Sequence, residues 1–346
     1  MSRPSQLLPA WGTTGIGSLP HTQAELGLQM ALQVDVPYVP QLPVGHPTEF
    51  MIAEALSGLP GLAVDDEGMC TVDLARWEIA RDSFGASIEA ALSAGDLSAF
   101  EPTPEACRSW KPFLWEVEHR KLALAKAQLA GPATVRWVAK TSAGDPVSEV
   151  ALLDQQIFRF LLAKYLARAV ALRKSGATPI LYIDEPGLYA LDRRDPRHLV
   201  VLQELKVLVM ALHREGAVVG LHCCSNTDWA ALMDLGLDVL SVDARLSLDA
   251  VLDDTQALGR FVGAGGLLGL GIIPTDLSAT YDVAVLVDAV DASLRAALGP
   301  QYARGQLPCL LTPACGLAMR STLEAERVFE QLRAAQKRLT ELTAPA

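Results

Sequence analysis

A chain of 346 residues, half of them apolar, can bury a large core, which excludes disorder as its dominant state. A formal net charge of −11 without a long basic run excludes nucleic acid and anionic membrane as main partners, since neither is drawn to such a surface. The opening MSRPSQLLPAWGTTGIGSLP has no apolar run with a small-residue cleavage site, and the longest apolar stretch, 261–274, falls short of the roughly 20 residues that span a bilayer. A cytoplasmic protein is expected, and in that reducing compartment a cluster of cysteines reads as metal-binding or catalytic rather than disulfide-bonded.

In chain order, TTGIGS (13–18) reads as a first strand, and residues 40–111, rich in Pro, Gly and acids, as an irregular insertion, either a lid or a packed peripheral segment. ATVRWVA (133–139) reads as the next strand. Asp145 and Pro146 then open a helix that reaches Lys174, Gly176 ends it, and TPILYIDEP follows as a strand. The same grammar recurs: Asp195 and Pro196 open a helix ending near Gly216, before the strand AVVGLHCC, the helical DWAALMDLG and the strand LDVLSVDA. A helix from about Asp249, the strand LLGLGII, a helix from about Tyr281 and the strand LPCLLTPAC come next. Ser321 and Glu324 form a capping box for a last helix.

Alternating strands and helices imply a parallel sheet, and near-continuous apolar strands imply that both its faces are covered. The units approach the eight of a single-domain (β/α)8 TIM barrel, with an open doubly wound sheet as the alternative. No glycine-rich dinucleotide fingerprint opens a helix.

A barrel gathers its chemistry at the C-terminal ends of the strands, and there stand Ser18, Asp184, His222, Cys224, Asp243 and Cys315. Strand alternation puts His222 and Cys224 on one face and turns Cys223 to the other; Ser241 and Asp243 likewise share a face. One imidazole, two thiolates and a carboxylate form a sufficient shell for tetrahedral zinc, and their origin on three strands suits a catalytic site. Sulfur ligands disfavour magnesium and calcium. Singly, each residue has an ordinary reading: buried thiols for the cysteines, a core imidazole for His222, caps or turns for Asp184, Asp243 and Ser18. Their expected convergence sets them apart.

The segments TTGIGSLPHT, LAGPATVRW, ILYIDEPGL, GLHCCSN, DVLSVDA and LTPACGLAMRS together resemble the catalytic domain of cobalamin-independent methionine synthase, in a short core form, within the uroporphyrinogen decarboxylase-like barrel superfamily. The resemblance implies zinc held by His222, Cys224, Asp243 and Cys315, with His222, Cys224 and Cys315 central to catalysis. It implies homocysteine bound by Ile16, Gly17 and Ser18, with its amino group on Asp184. The sequence departs from the family pattern at several points. Asp243 stands where a glutamate is usual, and Pro274 and Thr275 replace a histidine implicated in proton delivery. Trp137 is one position before the tryptophan expected against a pterin, and Glu49 and Glu54 compete for a further contact to the substrate amine. No counterpart is expected of the additional N-terminal barrel that helps hold folate in the long form. Because the departures lie on the donor side, the expected donor is a methylcorrinoid, free as methylcobalamin or carried by a corrinoid protein. The alternatives are a methyltetrahydrofolate donor, another thiol acceptor such as coenzyme M, and a metal-free decarboxylase of the uroporphyrinogen type.

Overall fold

The computed structural model describes residues 7–276, 281–303 and 309–344. It begins with two extended segments rather than regular strands. Residues 12–19 lie beside the last strand, Thr14 N donating to Leu311 O, and beside residues 36–41, Leu19 N donating to Gln41 O. Residues 36–41 in turn meet the first strand of the main sheet, Val39 N donating to Lys126 O. Isolated parallel bridges at Thr13–Leu311, Ser18–Gln41 and Tyr38–Lys126 mark these junctions. Helix α1 (Ala24–Ala31) connects the two segments.

Residues 40–111, expected to be irregular, contain α2 (Met51–Leu56), β1 (Leu62–Val64), β2 (Cys70–Val72), α3 (Leu74–Ala94) and α4 (Trp110–His119). The Asp73 side chain caps α3 by accepting from Arg76 N, and Gly95 ends it at φ +72, a left-handed angle that glycine adopts without strain. Only Trp77 and Ile88 of its 21 residues are buried, so it carries almost no apolar periodicity to read.

The next strand is β3 (Leu124–Ala130), followed by α5 (Pro132–Val138). The run 133–139, expected as a strand, is thus mostly helix. Pro132 at the first helical turn starts it, and the true strand LAKAQLA lies one element earlier. After β4 (Lys140–Thr141), which joins β1 and β2 in a small sheet, the alternation becomes regular. It runs α6 (Ala151–Lys174), β5 (Thr178–Asp184), α7 (Pro196–Arg214), β6 (Val218–Cys223), α8 (Trp229–Met233), β7 (Val239–Asp243), α9 (Ala244–Asp253) and α10 (Thr255–Gly263). Then come β8 (Leu267–Ile273), α11 (Val283–Ala303, broken at Gly299), β9 (Leu310–Pro313) and α12 (Thr322–Thr343). Two boundaries move from expectation. A short 3-10 turn at Val147–Glu149 precedes α6, so Pro146 does not open it, and α9 starts at Ala244, directly on the end of β7, rather than near Asp249.

β3, β5, β6, β7, β8 and β9 form one parallel sheet in that order. Its two edge strands both bond to the extended segments, so the sheet curls, but regular ladder pairing covers six strands and not the expected eight. Alternation divides the side chains. Ile180, Tyr182, Val218, Val239, Leu267 and Leu310 pack with Leu8 and Val36 inside the curl, while Leu181, Val219, Leu221, Cys223, Leu240 and Leu268 pack under the helices. Each such buried aliphatic side chain contributes roughly 1.5–3 kcal/mol. The inner apolar plug lies at the N-terminal ends of the strands, leaving their C-terminal ends for polar groups. No helix among the described residues is long and apolar enough to cross a membrane.

Candidate active site

The C-terminal ends of β5, β6 and β9 open with residues 16–18 on one cavity of about 250 Å³. Ile16, Ser18, Gln41, Asp184, His222, Cys224 and Cys315 line it, and Phe50, Met51, Pro43, Pro186 and Met319 supply apolar walls. Six sequence-predicted residues (Ile16, Ser18, Asp184, His222, Cys224 and Cys315) therefore meet there. Gly17 backs the wall, where a Cβ would stand 2.9 Å from both Gln128 Nε2 and Gln41 Oε1. Asp243 is not among the lining residues.

Asp184, His222 and Ser241 are successive partners across β5, β6 and β7. The buried His222 ring has its Nδ1 3.1 Å from Ser241 Oγ, which fixes the ring, while Nε2 is buried without a hydrogen-bond partner. Cys224 follows directly on β6. Cys223 points the other way, fully buried, with Sγ 3.2 Å from the Ser225 carbonyl. The Cys315 thiol, and next the His222 ring, pull the Cys224 thiol well below its ordinary value. The ring acts through proximity, because its Nε2 does not reach hydrogen-bond geometry. Cys315 is pushed up in turn by the neighbouring Cys224 sulfur and by loss of solvent on its cavity side.

Burial raises Asp184, opposed first by the Lys126 ammonium and then by His222, and its Oδ1 is buried with no partner. Its neighbour Glu185 faces outward, accepting from Ala133 N at 2.9 Å, Thr134 N at 2.7 Å and Thr134 Oγ1 at 2.6 Å. These bonds tie β5 to the start of α5. Asp243 caps α9 with one oxygen: its Oδ1 accepts from Arg245 N at 2.8 Å and Leu246 N at 3.1 Å. Ser18 is clamped by the loop after Cys315. Its carbonyl accepts from Leu317 N, and Ala318 N approaches its Oγ at 3.4 Å. Gly316 permits this, since a Cβ there would lie 2.2 Å from that Oγ.

Neither glutamate considered for a substrate amine is uncommitted. Glu49 lines the cavity but pairs with Arg108 at 2.5 Å and accepts from Leu42 N; Glu54 pairs with Arg168 at 2.7 Å. Trp137 stands in another cleft against His198, with Arg136 and Arg197. Pro274 and Thr275 belong to a third cleft, where the Thr275 carbonyl accepts from Arg320. Sequence reasoning missed Gln41, Lys126 and Gln128. The signal for the latter two was available: both fall on the inward face of LAKAQLA once that run is read as a strand.

The donor set of one imidazole nitrogen and two sulfurs suits zinc, and the orphaned His222 Nε2 is the atom such an ion would use. Among the described residues no three His, Cys, Asp and Glu side chains already form a group that holds a metal ion. His222, Cys224 and Cys315 share the one cavity.

No family model and no curated protein matches this chain. Among solved structures it is similar to a methyltransferase from Methanosarcina mazei, at 17% sequence identity and a TM-score of 0.56 over 97% of this chain and 98% of that one. The Bacillus subtilis YkuI protein with an EAL domain aligns over 67% of this chain and 52% of its own at 16% identity, and its TM-score of 0.27 is too low to bear on the fold. The alternating architecture derived above is thus shared, from end to end, with a solved protein of distant sequence.

Proposed function

We propose that this chain is a zinc-dependent enzyme on a (β/α)8 frame, closed by its two extended segments, that moves a methyl group onto the sulfur of a thiol, homocysteine, to give methionine. The observation that carries the reading is His222, which is oriented by Ser241 and presents a buried, unpartnered Nε2 to the cavity that Cys224 and Cys315 also line. His222, Cys224 and Cys315 would hold the metal after small side-chain rotations. Asp243 would add a fourth ligand only through the oxygen that does not cap α9. Bound zinc would keep an incoming thiol as its anion at neutral pH, where a free thiol of pKa near ~8.5 is mostly protonated.

The remaining residues position the acceptor. The free Oδ1 of Asp184 would take its ammonium group, and the backbone of residues 16–18 with the Ser18 hydroxyl would hold its carboxylate. Phe50, Met51 and Met319 supply apolar walls along which the acceptor's carbon chain would lie. A sulfonate thiol such as coenzyme M has no amine for Asp184. The methyltransferase name of the Methanosarcina neighbour supports a transfer reaction. For the donor we favour a methylcorrinoid, free or carried by a corrinoid protein in the cytoplasm. Its leaving group needs no proton, and Pro274 and Thr275 provide no acid.

Elemental analysis and parallel incubation of the purified chain with homocysteine and either methylcobalamin or methyltetrahydrofolate test this. About one zinc per chain and methionine from methylcobalamin are expected. Methionine only from the folate overturns the donor assignment, and a zinc-free chain inert with both donors overturns the whole reading.

A further inference from the structure

Lys126 takes no part in the chemistry above, yet it is fully buried, where an ammonium costs several kcal/mol unless its surroundings replace water. On β3 it shares the inward face with Gln128. Its Nζ donates to the Ile16 carbonyl at 2.7 Å and to Gln128 Oε1 at 3.1 Å, and lies 4.6 Å and 5.6 Å from the ring centres of Tyr182 and Tyr38. Asp184 adds Coulombic attraction across the adjacent strand. Gln128 Nε2 donates onward to the Val39 carbonyl at 2.8 Å.

Residues 16–18 thus rest on a polar floor built from β3. In a trans peptide the carbonyl and the following amide point in opposite directions. Turning the Ile16 carbonyl down onto Lys126 therefore aims the Gly17 N–H away from it. A hydrogen bond of this kind, with one partner charged, is stronger than a neutral one. Its loss would free a turn whose two outer residues line the cavity.

We propose that Lys126 is a positioning residue for the acceptor: by holding the Ile16 carbonyl it fixes the wall of Ile16, Gly17 and Ser18 opposite Asp184 and presents the Gly17 amide to the carboxylate of an amino-acid thiol. This rests on the acceptor reading given under Proposed function. Lys126 does not touch the substrate, so its removal acts on recognition of the amino-acid end and leaves the metal donors alone.

The test is calorimetric titration of the zinc-loaded full chain with L-homocysteine and with propane-1-thiol, alongside zinc content, for wild type, Lys126→Met and Lys126→Gln. Lys126→Met is expected to weaken homocysteine by about tenfold or more, the order set by one hydrogen bond to a charged group, with propane-1-thiol affinity and zinc per chain unchanged. Lys126→Gln retains a donor and falls between; it carries the test if the methionine variant does not fold. Equal weakening of both thiols, or loss of zinc, assigns Lys126 to the frame alone and overturns the proposal. A wild type that prefers homocysteine while both variants bind it unchanged overturns the role of Lys126 only. A wild type that does not distinguish the two thiols overturns the acceptor reading, and this inference with it.

Discussion

Arg168→Leu probes the buried network that carries Gln41 to the cavity wall. Arg168 Nη2 lies 2.7 Å from Glu54 Oε1, and the two side chains are 1% and 3% exposed. Without the guanidinium, the Glu54 carboxylate keeps the Gln41 amide, which donates to its Oε2, and the nearby Lys164 ammonium, whose own bonds go to the Glu54 and Ser57 carbonyls. Removing one partner of a buried pair costs about 3–5 kcal/mol. Lys164 offsets part of this, so the low end, about 3 kcal/mol, is expected. With an m-value of roughly 3 kcal/mol/M, the urea midpoint falls by about 1 M. Equilibrium unfolding followed by the fluorescence of buried Trp77 and Trp110 measures it. Adding Glu54→Gln to Arg168→Leu should recover only part of the loss, because the lone carboxylate is gone but the buried Lys164 ammonium keeps only the Glu54 and Ser57 carbonyls. Lys337→Ala is the control: it removes a pair at 4.0 Å whose side chains are 81% and 66% exposed, and no measurable shift is expected. If Arg168→Leu moves the midpoint no further than Lys337→Ala, the pair does not hold this network.

Three further substitutions address the site. Cys315→Ser should lower zinc content and abolish transfer, because a neutral hydroxyl is a poor zinc ligand, whereas Cys223→Ser should leave zinc content unchanged; equal loss in both would mean that strand facing does not sort the two sulfurs. Asp184→Asn should retain zinc and raise the KM for homocysteine by about 10- to 100-fold, as for a lost charged hydrogen bond, and loss of the metal instead would contradict the division of roles. Burial pushes Glu185 up to about 7, against hydrogen bonds from Thr134 and Ala133. A value raised above the ordinary 4.5 means that its contribution to stability is fully present below 4.5 and is lost as pH rises through about 7. Thermal melts from about pH 5 to 8 should therefore show wild type losing stability relative to Glu185→Gln, and a difference that stays constant with pH would refute the assignment.

The strands β5 to β9 were legible because their apolar runs are nearly continuous, as expected where both faces are covered. β3 was not, since Lys126 and Gln128 interrupt its apolar pattern although neither reaches solvent. Its neighbour misled in the opposite direction: Thr134, Val135 and Trp137 favour a strand locally, but Pro132 and the Glu185 carboxylate at the first turn hold a helix. Alternation alone predicted that His222 and Cys224 face one way and Cys223 the other, and they do. Asp243 shows the limit of that reasoning, because a carboxylate at a strand end can serve as a ligand or a cap, and the helix beginning at the next residue takes one of its oxygens as a cap. The pairing of Glu54 with Arg168 spans 114 positions and leaves no local trace in the sequence.

The clamp on Ser18 bears on the order in which the protein is assembled. Ala318, whose amide reaches Ser18 Oγ, lies 300 positions downstream, and Thr14 depends on Leu311 for its own bond. Joining such distant positions carries a large loop-closure entropy and delays the contact during folding. A nascent chain that has emerged only as far as β8 already owns His222 and Cys224, but it lacks Cys315 and the amides that seat Ser18. Ligand capture should thus switch on late in synthesis and abruptly, and lesions that loosen β9 should disable the sulfur side and the amino-acid side together.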